Sequence, residues 1–170
     1  MMWVFEKGDG RLYICGMRVL LDIDGVMVTT PSWKQVEVLE DRFSAFNKRA
    51  AACLQKILSE TNASLVLTTS HKSRFNTSEW KSIFKKRGIN VSKIECLEKN
   101  NLNLNRKEEI LNWFDSASQQ QDQHFVILDD DKSLNDLPAS IKKRCVITSS
   151  LIGLNEEAAQ QAIGILNCKS

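Results

Sequence analysis

An apolar run that ends in two aspartates and a glycine constrains the fold of this chain more than any other segment. Residues 19–26 read Val-Leu-Leu-Asp-Ile-Asp-Gly-Val. In an extended strand, side chains two positions apart share a face, so Asp22 and Asp24 can approach one ligand together. Gly25 permits a sharp exit from the strand, because glycine adopts a positive φ without steric cost. The simpler interpretation is a strand followed by an ordinary Asp-Gly turn.

Beyond this run, short apolar segments alternate with segments of helical periodicity. The predicted strands are 65–67, 94–97, 125–128 and 145–147. The predicted helices are 41–60, 78–87 with Gly88 as its stop, one that opens with a capping box at Asn105 and Glu108, and one capped by Asn155. Together with the opening strand, this alternation predicts an α/β fold whose mainly parallel five-stranded sheet lies between helices.

The length of 170 residues suits one domain with its own core. Residues 18–170 are predicted to form that domain, and residues 1–17 to form a small N-terminal hairpin extension that turns at Gly8-Asp9-Gly10. Residues 29–40 combine turn-forming residues with no clear period. We expect them to form a loop over the strand ends.

Composition argues against several classes of protein. The net charge of +2 predicts no basic tail for nucleic acid, and the five cysteines include no Cys-x-x-Cys pair. The thiols are therefore expected to be reduced and mostly buried. No apolar run approaches the roughly 18 residues of a membrane span, and the N-terminus lacks the pattern of a signal peptide. These features predict a cytoplasmic protein without a membrane partner.

Polar side chains follow three of the predicted strands, at the edge where parallel sheets bind ligands. Asp22 and Asp24 end the first strand, Thr68 and Thr69 the second, and an acidic run at 129–131 ends a third. Clustered carboxylates suit Mg²⁺, which prefers hard oxygen ligands and completes its shell with waters and a substrate phosphate. Such a cluster needs a cation or a basic side chain, because its like charges would otherwise repel one another.

The metal ligands predicted at this edge are Asp22 and one of Asp129 or Asp130, with Asp24 beside them. The chemistry of phosphoryl transfer then assigns the remaining roles. Asp22 can attack phosphorus and form an aspartyl-phosphate. Asp24 can protonate the leaving oxygen and later activate water, as a general acid and base.

Hydroxyl and basic groups supply the predicted phosphate contacts. Thr68 or Thr69 can donate to phosphate oxygens, and Arg106 or Lys107 can neutralise their charge from the start of a helix. Each group also has an ordinary interpretation: a solvated turn or cap for the hydroxyls and a surface charge for the basic residues. The acidic run could cap the segment that follows it. His71 could face either substrate or solvent.

These residues, in this order, resemble the four motifs of the haloacid dehalogenase (HAD) superfamily of aspartyl-nucleophile phosphohydrolases. The similar segments are Asp22-Ile23-Asp24-Gly25-Val26, Leu67-Thr68-Thr69, Arg106 or Lys107, and Leu128-Asp129-Asp130-Asp131, within residues 18–148. More narrowly, residues 106–110, 126–131 and 153–157 are similar to the HAD domain associated with multi-domain Swiss Army Knife RNA repair proteins.

The resemblance implies a Rossmann-like core, a Mg²⁺ cofactor, a nucleophilic Asp22 and an acid/base Asp24, with no large cap domain. A nearly capless site suits a large phosphorylated substrate, such as a nucleic-acid end or a phosphoprotein, and also admits a nucleotide. The chain departs from the family in having Arg106 where lysine is usual, with Lys107 adjacent. A catalytically silent binding or regulatory domain is the alternative function.

Overall fold

Seven strands are present in the computed structural model, which describes residues 3–6, 12–29, 35–117 and 124–168. Strands β1 (Trp3–Glu6) and β2 (Leu12–Cys15) pair antiparallel. The other five strands form one parallel sheet in the order β5-β4-β3-β6-β7. They are β3 (Arg18–Leu21), β4 (Ser64–Leu67), β5 (Ile94–Cys96), β6 (Phe125–Asp129) and β7 (Cys145–Ile147). The predicted α/β fold with a five-stranded, mainly parallel sheet is confirmed, and the sheet is wholly parallel.

The antiparallel pair β1–β2 lies where the N-terminal hairpin is predicted. The predicted turn at Gly8-Asp9-Gly10 lies outside the described residues. The division into an extension at residues 1–17 and a domain at 18–170 stays a prediction.

Helices cover both faces of the sheet because successive strand residues point to opposite sides. The helices are α1 (Lys48–Thr61), α2 (Thr77–Lys86), α3 (Arg106–Ala117), α4 (Ala139–Lys142) and α5 (Glu156–Asn167), with 3₁₀ helices at Ser70–Ser73 and Lys132–Asp136. Val19 and Leu21 belong to the core that includes side chains of α1, α2 and α5, whereas Leu20 belongs to the core on the side of α3 and α4. The result is a three-layer sandwich.

The first long helix is shorter than predicted. The pattern over 41–60 favours a helix throughout, but α1 begins only at Lys48. Asn47 caps it, since its side chain accepts from the backbone N–H groups of the second and third residues that follow. Phe43 and Phe46 are nevertheless buried in the same core as α1. The helical spacing of Phe43 and Phe46 therefore predicts their burial correctly, but it predicts their backbone conformation wrongly.

The other predicted helix signals agree with the structure. Asn105 and Glu108 form the predicted reciprocal capping box at the start of α3. Asn155 caps α5, and Gly88, with φ +79°, follows the end of α2. Residues 97–105 alone connect β5 to α3, which is too short a connection for a lid domain.

The loop at residues 35–46 is held at its base by one buried ion pair. The guanidinium of Arg87, at the end of α2, contacts both carboxylate oxygens of Asp41 at 2.6 and 3.0 Å. It also donates to the backbone carbonyls of Phe43 and Ser44. These contacts draw the pKa of Asp41 below its ordinary value, chiefly through the hydrogen bond from Arg87.

Replacement of Arg87 by methionine should lower the free energy of unfolding by about 3 kcal/mol, because it leaves the buried carboxylate of Asp41 without its counter-ion. Urea denaturation at pH 7 measures this change. Lys86→Met is the matched control, since Lys86 is exposed, and it should change stability by less than about 0.5 kcal/mol. Equal effects of the two substitutions would contradict the anchoring role of Arg87.

Candidate active site

The strand register brings three polar side chains to one level of the sheet. Leu21 at the end of β3 pairs with the last apolar residues of both β4 and β6. The next residues, Asp22, Thr68 and Asp129, therefore lie side by side at the carboxyl edge. The backbone bonds continue to this level, since Thr68 N donates to Leu21 O and Asp22 N to Leu128 O. Alternation turns the three side chains toward the α3 side of the sheet.

Three carboxylates meet at this edge. Asp22, Asp129 and Asp130 each offer an oxygen, and these oxygens lie within 4.8 Å of one another. Asp22 and Asp129 are buried, and Asp129 is only 1% exposed. Asp24, the fourth predicted ligand, lies outside this cluster: its side chain is 60% exposed and its Oδ2 lies 2.9 Å from Nε2 of His71. Strand β3 ends at Leu21, before both acids, and the turn that follows leaves Asp22 buried and Asp24 exposed.

The turn after the strand passes very close to the cluster. Gly25 has φ +78°, and a Cβ placed on it would lie 2.1 Å from Oδ2 of Asp130. Only glycine satisfies both the conformation and the space. The last part of the domain supports this turn, since Thr148 donates through its hydroxyl to the Gly25 carbonyl and Leu154 N donates to the Val26 carbonyl.

Arg106 is the basic residue that reaches the carboxylates. Its Nη2 lies 3.1 Å from Oδ1 of Asp22, and its Nε lies 3.0 Å from Oδ2 of Asp129. Its Nη1 donates to Oε2 of Glu109 at 2.9 Å and to the carbonyl of Thr68. Guanidinium has five N–H donors in a fixed plane, and three of them are used by Asp22, Glu109 and the Thr68 carbonyl. Lys107 lies one position further along α3, and the ion pairs with Asp22 and Asp129 come from Arg106.

Burial and crowding raise the pKa values of the clustered acids. The pKa of Asp22 is raised to about 7, first by burial and then by the charge of Asp129, while Arg106 opposes the shift. Burial likewise raises the pKa of Asp129 to about 6 against the effect of Arg106, and burial raises that of Asp130. Three carboxylates and one guanidinium leave a net charge of −2 when all are ionised. This is the charge that one divalent cation offsets.

A buried ion pair lies behind Arg106. Lys72, only 6% exposed, donates to Oε1 of Glu109 at 2.8 Å, and the other oxygen of Glu109 accepts from Arg106. Glu109 therefore joins two cations and fixes Arg106 in place. Neither Lys72 nor Glu109 was predicted from the sequence. Glu109 could have been found from its spacing of three residues from Arg106 on a helix, whereas no sequence signal marks Lys72.

The two threonines after β4 have different environments. Both are fully buried. The hydroxyl of Thr69 accepts from His71 N at 3.3 Å and caps the 3₁₀ helix that follows. The hydroxyl of Thr68 has no hydrogen-bond partner within the described part of the chain. Thr68 is thus the threonine with a free hydroxyl at the level of Asp22.

The acidic run at 129–131 serves two purposes. Asp129 and Asp130 belong to the carboxylate cluster, whereas Asp131 accepts from Ser133 N and caps the 3₁₀ helix Lys132–Asp136. The ordinary interpretation of this run as a cap therefore applies to its last residue.

The residues present fit a Mg²⁺ ion. The donors are hard carboxylate oxygens, the kind that Mg²⁺ prefers. Oδ2 of Asp129 is buried and, among the described residues, has no aligned hydrogen-bond donor although Nε of Arg106 lies close by. An unsatisfied buried carboxylate oxygen is costly unless a cation satisfies it. Asp22, Asp129 and Asp130 are the side chains that would hold the ion.

Comparison with known proteins identifies a family. A family model described as the HAD domain in Swiss Army Knife RNA repair proteins matches residues 18–159. The match covers every strand of the parallel sheet and each of the site residues named in this subsection. None of the curated proteins matches the chain, and no solved structure does.

In the described part of the chain, no helix combines the length and apolar character needed to cross a membrane.

Replacement of Gly25 by alanine should displace the Asp130 carboxylate and weaken Mg²⁺ binding by about tenfold or more. The added methyl group should also lower the free energy of unfolding by about 1–3 kcal/mol, since it imposes a strained φ. Calorimetric titration with Mg²⁺ and thermal melting measure these effects. Gly164→Ala is the control: it lies in α5 with open space around its Cα, so its Mg²⁺ affinity should be unchanged. Equal affinity of both variants would refute the role of Gly25.

Without divalent cations, Asp22→Asn should be more stable than the wild type at pH 7.5, by about 4 kcal/mol. The carboxyl ionises near its ordinary pKa of 3.8 in the unfolded chain but near 7 in the folded one. Rising pH therefore favours the unfolded state across that interval, and the difference between the proteins should disappear as pH falls from about 7 to 4. Thermal melts in chelator across this range test it, with exposed Asp136→Asn as control. A difference that is independent of pH would contradict it.

Proposed function

The chain belongs to the family of HAD domains found in Swiss Army Knife RNA repair proteins, and on that basis we propose that it hydrolyses phosphomonoesters in a Mg²⁺-dependent reaction through Asp22. The family supports a HAD-type, phosphatase-like function. The observation that carries the finer proposal is the meeting of Asp22 with Asp129, Asp130 and Arg106 at the carboxyl edge of the sheet. A single cluster thus combines a nucleophile, a cation site and a fixed counter-charge.

A Mg²⁺ ion held by Asp22, Asp129 and Asp130 would supply positive charge to the phosphoryl oxygens. HAD domains typically use this cation, and the net charge of the cluster supports it. The raised pKa of Asp22 also indicates that the buried carboxylate needs a compensating cation to be ionised, and hence nucleophilic, at neutral pH.

Asp22 is the proposed nucleophile. Nη2 of Arg106 lies close to its Oδ1, which leaves the second oxygen for attack on phosphorus. The bond from this oxygen to phosphorus forms while the bond from phosphorus to the leaving oxygen breaks. The product of this step is an aspartyl-phosphate on Asp22 and a free alcohol.

Asp24 is the proposed general acid and base. Its exposed position beyond the end of β3, outside the carboxylate cluster, supports this role. It donates a proton to the leaving oxygen in the first step and takes one from the attacking water in the second. The water displaces Asp22 and releases inorganic phosphate, so the enzyme returns to its initial state.

Thr68 rather than Thr69 is the proposed hydroxyl donor to phosphate, because its hydroxyl is buried and free of other partners in the described part of the chain. Arg106 is assigned a different role from the one predicted. Three of its five N–H donors are already engaged by Asp22, Glu109 and the Thr68 carbonyl, and its Nε lies 3.0 Å from Oδ2 of Asp129. It neutralises and positions the acids, and it offers little to a substrate.

The proposed substrates are large phosphorylated molecules, above all phosphorylated nucleic-acid ends. The short connection at residues 97–105 supports an open site, and the family is named for RNA repair proteins. Nucleotides and phosphoproteins are the other classes to compare. A cytoplasmic location also stays a prediction.

A substrate panel tests the proposal. With Mg²⁺, the wild type should release phosphate from at least one of an aryl phosphate, a nucleotide, phosphotyrosine, or RNA and DNA carrying a 5′- or 3′-phosphate. Asp22→Asn should lose this activity by about 10³-fold or more, and chelation of the metal should abolish it. Asp136→Asn is the matched control, because it removes an exposed carboxylate elsewhere.

Equal phosphate release by the wild type and Asp22→Asn would contradict the proposal. If the wild type with Mg²⁺ releases no more phosphate than Asp22→Asn from every substrate, the chain is not a phosphatase. A catalytically silent HAD domain that binds phosphorylated ligands would then be the better interpretation.

A further inference from the structure

His71 lies beside the proposed acid/base residue, outside the four motifs that predict the site. Its Nε2 is 2.9 Å from Oδ2 of Asp24. The Asp24 side chain is 60% exposed, whereas that of His71 is 31% exposed. A carboxylate exposed to this degree samples several rotamers unless a neighbour fixes it. His71 is the described side chain that can fix it.

Two contacts besides the one with Asp24 hold His71 in place. The Thr69 hydroxyl accepts from His71 N and caps its 3₁₀ helix. The Phe43 ring packs edge-on against the imidazole, with centroids 5.5 Å apart and planes at 82°. Phe43 is in turn anchored, because its carbonyl accepts from buried Arg87. The position of His71 therefore depends on the core and not on solvent.

We propose that His71 is a positioning residue that holds Asp24 in the orientation needed for proton transfer to and from the substrate. This inference rests on the proposed phosphatase function and extends it to a residue outside the four motifs. When Nε2–H donates to Oδ2, the other oxygen of Asp24 stays free to exchange a proton with the leaving oxygen or with water. Because the Asp24 carboxyl is already held in one rotamer, proton transfer does not require it to be ordered first. The rate of the reaction rises for this reason.

The dependence of the rate on the leaving group separates this role from a structural one. An alkyl phosphate needs a proton on its leaving oxygen, whereas p-nitrophenolate leaves without one. For His71→Ala, kcat/KM should therefore fall about tenfold or more with an alkyl phosphate and less than about threefold with p-nitrophenyl phosphate. His71→Gln should restore most of the loss, because its amide N–H has about the reach of imidazole Nε2. The shorter His71→Asn should not.

His124→Gln is the matched control. His124 is the other histidine of the chain and precedes β6, at the edge of the sheet opposite the site. This substitution should leave kcat/KM unchanged for both substrates. A loss for His71→Ala that is equal for alkyl and aryl phosphates, or no loss at all, would overturn the positioning role. If the wild type is no more active than Asp22→Asn, the phosphatase proposal itself fails instead.

A measurement without turnover tests the contact directly. The ¹⁵N signal of His71 Nε2 should shift between the wild type and Asp24→Asn, while that of His124 should stay constant. This comparison also remains informative if His71→Ala folds poorly, since it leaves the histidine in place. An unchanged His71 signal would overturn the proposal.

Discussion

The site depends on one guanidinium. Arg106 contacts Asp22 after β3, Asp129 at the end of β6, the backbone after β4 and Glu109 on its own helix. The parallel register forces the first two acids into a buried edge, where their like charges oppose folding. Arg106 is therefore the counter-ion that offsets the repulsion between these acids. A lysine could not replace it simply, because a single ammonium lacks the planar fork that reaches several acceptors at once.

The fold and the location of the site could largely be predicted from the sequence. Buried strands are continuous apolar runs, and parallel strands end at one edge, so runs such as Val126–Leu128 followed by acids indicate both the sheet and the site. The helix boundaries are harder to predict from the sequence. The segment before α1 has helical spacing at Phe43 and Phe46, but Asn47 begins the helix only after them. Periodicity reports which side chains are buried, and caps decide where the helix begins.

The different contacts of the individual site residues could not be predicted from the sequence, because they depend on segments that are far apart in the chain. Thr68 and Thr69 are adjacent in the sequence, yet Thr69 caps a 3₁₀ helix, whereas the Thr68 hydroxyl has no hydrogen-bond partner among the described residues. Likewise, Lys72 reaches Glu109 across 37 positions of the chain. Sequence patterns place residues on elements, whereas such pairings follow from how α3 packs on the sheet.

Hydrogen bonds from residues after β7 support the turn at Gly25. This turn lies three residues after Asp22, just beyond the first strand of the parallel sheet, yet Thr148 and Leu154 supply hydrogen bonds to its carbonyls. During synthesis, the strand that carries Asp22 emerges long before these two residues. The turn can therefore reach its final geometry only after Leu154, 129 positions beyond Gly25, has left the ribosome. A partly made chain would hold Asp22 without a finished site around it.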